Sequence, residues 1–256
     1  MKKLLFLLII LIWLTTACGG NSPSPTTPTL ESKATIPVLN FSSEAIEFTT
    51  EDSVMLGGTL FRSKEQGDTA FLLAHMAGDS DQEDWHPFAK ELADIGISAL
   101  AFDFRCYGLS ECSGGSGPLS SIDLSAAINY LKEQGFENII CMGASMGGRG
   151  CISVAFDQEL AGLIIISGTA AAEPDRQNLN DFISPEMPKL FIVSGSDHIA
   201  GRTEAMTKLF ESASEPKTFE LLSGSAHGIE LFDSKNEEII RNIIYNFLEK
   251  NGFTSQ

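Results

Sequence analysis

Basic residues are scarce in this chain: 17 Lys and Arg stand against 34 Asp and Glu, a net charge of −17. Nucleic-acid binding needs a basic face for phosphates, and that balance excludes it. Adhesion of the folded part to an anionic membrane is disfavoured for the same reason; the charge keeps the surface soluble and biases the protein against acidic substrates. Histidines number four and are scattered, and no Cys-x-x-Cys occurs, so the spacing of a zinc site is missing. The acidic run "DSDQED", Asp79–Asp84, lacks the glycine at position six and the glutamate at position twelve of a calcium loop; it reads as a helix start. Internal repeats are absent too. The unbroken apolar run Leu4–Leu14 covers eleven residues, short of the ~20 that a spanning helix needs.

What that run does form is a secretory signal: two lysines, an apolar core, then small residues. Residues 1–17 are read as a signal peptide. "LTTAC" before Gly19 resembles a bacterial lipobox, although Thr15 stands where leucine is usual. That resemblance implies lipidation of Cys18 and a place in the cell envelope, anchored to a bacterial membrane only through the lipid. An ordinary cleaved signal and an uncleaved anchor are the alternatives. Residues 18–35, rich in Gly, Ser, Pro and Thr, form a tether with little to bury. Residues 36–256 are long enough, in a chain that is 43% hydrophobic, for one domain with a substantial core.

Cys106, Cys112, Cys141 and Cys151 fall in that domain, an even number that permits disulfides in an exported protein, with three pairings open. Cys106 and Cys112, six apart across a loop with a glycine, are candidates for a local bridge. Cys141 lies in an apolar strand, where a buried free thiol is expected.

"EAIEFTT" and "VMLGGTLFR" predict a hairpin. Thereafter buried-type strands alternate with helices. "AFLLAH", "GISALAFDF", "ENIICMG", "LAGLIIISG", "KLFIVSGSD" and "KTFELLSG" are strands. Helices are expected over Gln82–Leu92, Ser121–Gln134, from near Met146, over about Gly201–Ser212, and at the C-terminus with Ile239, Ile240, Ile243, Ile244, Phe247 and Leu248 as its stripe. This predicts an α/β fold: a mostly parallel sheet of about eight strands with helices on both faces, and chemistry at the carboxyl ends of the strands.

Three strand ends carry reactive groups. Gly143-Ala144-Ser145-Met146-Gly147 is a G-x-S-x-G between strand and helix, which exposes a serine on a sharp turn. Asp197 follows "KLFIVSGS", and His227 follows "KTFELLSGSA". A serine hydroxyl needs an imidazole to take its proton, and the imidazole needs a carboxylate to fix its tautomer. The tetrahedral intermediate needs two N–H donors, one from Met146 and one from the "HMAG" loop. His75 is expected to be structural, His86 to lie on a helix surface, and His198 to be turned away from Ser145.

The order Ser, Asp, His resembles that of α/β-hydrolases, and from about Glu44 to Lys250 the chain is similar to small dienelactone-hydrolase and acyl-peptidase-like esterases. "LLAHMAG" resembles their His-Gly-x oxyanion loop with Met76 in place of glycine, which implies Ala77 as the second N–H donor. "FDFRCYGLSE" resembles their Asp-x-Arg-Gly-x-Gly-x-Ser loop with Cys106 in place of glycine, a loop then pinned by Cys106–Cys112. The interval where relatives carry a cap, Thr169–Met187, has only nineteen residues, enough for one short helix such as "NLNDFIS" and no separate cap domain. The site is therefore expected to be open, with Met76 and Met146 as an apolar floor for small-molecule ester substrates.

The expectation is a serine hydrolase acting on carboxylic esters through an acyl-enzyme, with no metal or organic cofactor. A peptidase or acyltransferase using the same three groups is an alternative, and so is a catalytically silent binding lipoprotein of the same fold. Oligomeric state is not legible.

Overall fold

The computed structural model describes residues 40–65, 67–112, 120–169 and 186–254. The predicted signal, the tether and the "NLNDFIS" segment lie outside them. All the described residues fall in one unit, Val38–Gln256.

The strands are β1 (Phe41–Thr49), β2 (Met55–Ser63), β3 (Thr69–Ala74), β4 (Ser98–Phe102), β5 (Asn138–Ala144), β6 (Gly162–Ile166), β7 (Lys189–Ser194) and β8 (Lys217–Leu222). They form one sheet in the order β1-β2-β4-β3-β5-β6-β7-β8. β1 and β2 are antiparallel, as the hairpin signal requires, and every pairing from β4 through β8 is parallel. The helices are α1 (His86–Asp94), α2 (Ser120–Glu133), α3 (Met146–Val154), α4 (Arg202–Ser212) and α5 (Glu237–Lys250).

Strand alternation splits the core in two. Ala70, Leu72 and Ala74 of β3 join Leu124, Ile128 and Leu131 of α2, Ile152 of α3 and Met206 of α4 on one face. Phe71 and Leu73 point the other way, into Phe88 and Leu92 of α1 and Ile240, Ile244, Phe247 and Leu248 of α5. Both faces of the central strands are thus dry, which is why they read as continuous apolar runs. Each such Leu or Phe contributes about 1.5–3 kcal/mol through burial. The stripe on α5 is narrower than the sequence predicts, because Ile239 is exposed.

The first predicted helix begins differently. Gln82–Trp85 form a 3-10 turn, and the α-helix starts only at His86, with Pro87 in its first turn. The acidic run is a helix start, as expected: Asp81 accepts the Glu83 N–H at 2.8 Å, and Ser80 donates to Asp84 at 2.6 Å. His86 departs from its expected surface role. Its ring is half-buried and edge-on to Phe61, at 5.0 Å between centroids, because the 3-10 turn rolls the start of α1 onto the sheet.

Candidate active site

β5 ends at Ala144 and α3 begins at Met146, so a single residue, Ser145, makes the turn. It sits at φ 49°, ψ −103°, a conformation that costs an L-residue on the order of 1–3 kcal/mol. Neighbouring backbone holds it there: the Ser145 N–H donates to Ile166 O at 2.8 Å, and the Gly147 N–H donates to His75 O at 3.1 Å. The glycines serve close approach. A Cβ on Gly143 would overlap the Gly147 backbone, and one on Gly147 would overlap the Ala74 and His75 carbonyls. The sequence pattern thus exists because α3 must pack hard against β3 and β5 to leave the serine on the crest.

His227 lies after β8 and Asp197 after β7. The Asp197 side chain is inaccessible, and both its oxygens lie 2.9 Å from His227 Nδ1. A carboxylate only accepts, so Nδ1 carries the proton and Nε2 is left as the acceptor. Asp197 also accepts from Ser167 Oγ at 2.8 Å and from the Ile199 N–H at 2.9 Å. Ser194 Oγ donates to Ala226 O at 2.6 Å and ties the two strand ends together. The position of a Cβ on Gly228, next to His227, lies 3.8 Å from Ser145 Cβ and 3.0 Å from Met76 Sδ. The fold therefore brings the three reactive strand ends to one place. No hydrogen bond joins Ser145 Oγ to His227 among the described residues; such contacts commonly tighten only with substrate bound.

The "HMAG" loop is set by His75. Its Nδ1 lies 2.7 Å from Met76 O, its Nε2 accepts the Phe104 N–H at 3.1 Å, and burial pushes its pKa down, so the ring is neutral and committed to structure. This is the role expected of it. Ala77 is exposed on that loop, and Met146 takes the first position of α3, where an N–H has no carbonyl of its own helix to pair with. The Met146 side chain is buried in the core, with Tyr107 Oη 3.9 Å from its sulfur.

The loop after β4 is held by charges that sequence inspection left unassigned. Asp103 accepts the backbone and side-chain N–H groups of Gln82 at 2.8 Å each, and the Leu109 N–H at 2.9 Å. Arg105 is 1% exposed and clamps two carboxylates: Asp52 of the β1–β2 turn through two bonds of 2.7 and 2.9 Å, and Asp123 of α2 at 2.8 Å through Nε. The Arg105 guanidinium, with help from Thr50, holds the Asp52 carboxyl well below the usual carboxylate range. Burial pushes Asp123 up, against the pull of Arg105.

Cys106 and Cys112 are disulfide-bonded, as the spacing allowed. Cys106 has φ 70°, the left-handed backbone that explains why glycine is usual at this place in the pattern it resembles. The expectation for Cys141 fails: it is not a free thiol but is bonded to Cys151. β5 and α3 run side by side on either side of Ser145, so the two sulfurs meet in the core although the strand itself is apolar. His198 is turned outward, as expected, and contacts Glu230 at 3.2 Å. Ser167 and Glu230 are further site residues that carried no motif. Among the described residues, no group of three or more His, Cys, Asp or Glu could hold a metal ion, and no helix is long and apolar enough to cross a membrane.

Comparison with known proteins agrees with this fold. Residues 67–249 match the family model of the alpha/beta hydrolase domain, and the chain belongs to that family. It is 28% identical over 228 residues to an uncharacterized protein of Mycobacterium tuberculosis strain H37Rv, covering 81% of this chain and 79% of that protein. Among solved structures it is similar to the alpha/beta hydrolase GrgF from Penicillium sp. sh18, with TM-score 0.69, 18% identity, and coverage of 82% of this chain and 99% of that one. It is also similar to the Pyrococcus furiosus esterase Pf2001, with TM-score 0.68, 21% identity, and coverage of 83% and 91%.

Proposed function

We propose that the protein is a serine hydrolase that cleaves carboxylic esters of small molecules. The observation that carries this reading is the convergence of a strained, half-buried Ser145 with a buried His227–Asp197 pair at one end of the sheet. Membership of a hydrolase family and the esterase named above support it.

In this mechanism His227 Nε2 takes the proton from Ser145 Oγ as the oxygen attacks the ester carbonyl. Asp197 holds the Nδ1 proton and stabilises the imidazolium. The Met146 N–H and the Ala77 N–H stabilise the oxyanion, and such a donor is worth roughly 2.7–4 kcal/mol of barrier. The imidazolium then protonates the leaving alkoxide. Water, deprotonated by the same nitrogen, opens the acyl-serine and restores the enzyme. Met76, beside Gly228, lines the acyl side. Nothing in these steps calls for a metal or cofactor.

The N-terminal pattern supports a second part of the reading, that the chain is exported and lipidated at Cys18, with the domain carried on a tether. Mass spectrometry of the N-terminal peptide from bacterial membranes tests it.

Hydrolysis of p-nitrophenyl esters from acetate to dodecanoate, by the wild type beside Ser145→Ala, tests the activity. Turnover that disappears in the variant and falls with chain length is expected. An inert wild type refutes the reading.

A further inference from the structure

His227 is gripped from two directions. Asp197 takes the ring; Glu230, in the 3-10 turn Gly228–Asp233, takes the backbone. The His227 N–H donates to Glu230 Oε2 at 2.9 Å, and the Glu230 N–H returns to His227 O at 3.1 Å. The same carboxylate holds His198 Nε2 at 3.2 and 3.3 Å. His198 stands edge-on to the His227 ring, centroids 5.5 Å apart, and its N–H donates to Ser225 O at 3.0 Å, on the loop that carries His227. Asp197 and His198 are consecutive in sequence. One holds the base directly, and the other holds the carboxylate that anchors the base's backbone.

We propose that Glu230 is a positioning residue for His227, and that His198 keeps the Glu230 carboxylate in place. The inference rests on His227 being the base of the proposed reaction. Two features favour a task in catalysis over one in stability. The His198 and Glu230 side chains are about half exposed, at 49% and 47%, and pairs in that setting contribute only about 0–1 kcal/mol to folding. Yet the peptide that Glu230 fixes is that of the base itself, and a base displaced by about 1 Å costs on the order of 100-fold in rate.

The test compares Glu230→Ala, Glu230→Gln, His198→Ala and the Glu230→Ala/His198→Ala double variant. Steady-state hydrolysis of p-nitrophenyl acetate and thermal unfolding are measured for each. Glu230→Ala is expected to lower kcat about 10-fold or more with KM within about twofold, while Tm moves by no more than ~2 °C. Glu230→Gln should recover most of kcat, because an amide oxygen in the place of Oε2 still accepts from both the His227 N–H and His198 Nε2. His198→Ala should lose less than Glu230→Ala, and the double variant should be no worse than Glu230→Ala alone, since both act through one contact. Wild-type kcat in Glu230→Ala overturns the inference, as does a loss matched by a fall in Tm or one that Glu230→Gln does not repair. Those failures leave the triad standing. An inert wild type instead overturns the triad, and this inference with it.

Discussion

Ser167 Oγ donates to Asp197 Oδ2 at 2.8 Å, from the end of the strand next to the one that carries Asp197. Ser167 is fully buried and sits at φ 48°, with its N–H bonded to Ile192 O at 2.9 Å, so its hydroxyl is aimed by a fixed backbone. Asp197 shares its two oxygens among Ser167, Ile199 and His227, and the acid cannot rotate away from the imidazole without losing a donor.

Replacing that hydroxyl tests how far it matters. Ser167→Ala should reduce kcat by about 5- to 20-fold, since a hydrogen bond to a charged group is worth about 1.5–3 kcal/mol and part of it persists through Ile199. KM for a p-nitrophenyl ester should stay near the wild-type value in the same assay.

Gly147→Ala should be far more severe. Its Cβ would strike the carbonyls of Ala74 and His75, which are backbone and cannot step aside. A destabilisation of about 2 kcal/mol or more, with loss of activity, is expected in urea unfolding and ester hydrolysis.

Arg105→Met tests the charge cluster behind the site. Removing the guanidinium leaves Asp123 of α2 buried and uncompensated, with a cost of about 3–5 kcal/mol. Replacing Asp123 by Asn in the same chain should return part of that loss, read as a non-additive double-mutant cycle.

Stability should also fall on mild acidification. Burial pushes His75 and His86 below their ordinary values, so the unfolded chain takes up these protons first. Their contribution is complete above about pH 6.5 and is lost as pH drops from there toward the folded values. The urea midpoint should therefore be lower at pH 5.5 than at pH 7.5, and Ser145→Ala should follow the same profile, because the effect belongs to the fold.

What could be read in advance depended on local pattern. Central strands buried on both faces show as unbroken apolar runs, and Gly143-Ala144-Ser145-Met146-Gly147 shows the strand–turn–helix because its glycines answer a steric demand a few residues away. Asp197 and His227 were legible from their places at strand ends. Ser167 was not: its partner is thirty residues distant, and "ISG" has no distinguishing spacing. Asp52 lies in an ordinary turn sequence, and only the fold brings it to Arg105. The bond between Cys141 and Cys151 depends on how tightly α3 packs on β5, which a single sequence does not display.

The proposed reaction requires Ser145 to be a nucleophile activated by His227. The most direct measurement is labelling with a fluorophosphonate, followed by mass spectrometry of the modified peptide. One adduct on Ser145, absent in Ser145→Ala and formed at least about 100-fold more slowly in His227→Ala, is the predicted result. No adduct in the folded wild type, or an adduct on another residue, contradicts it.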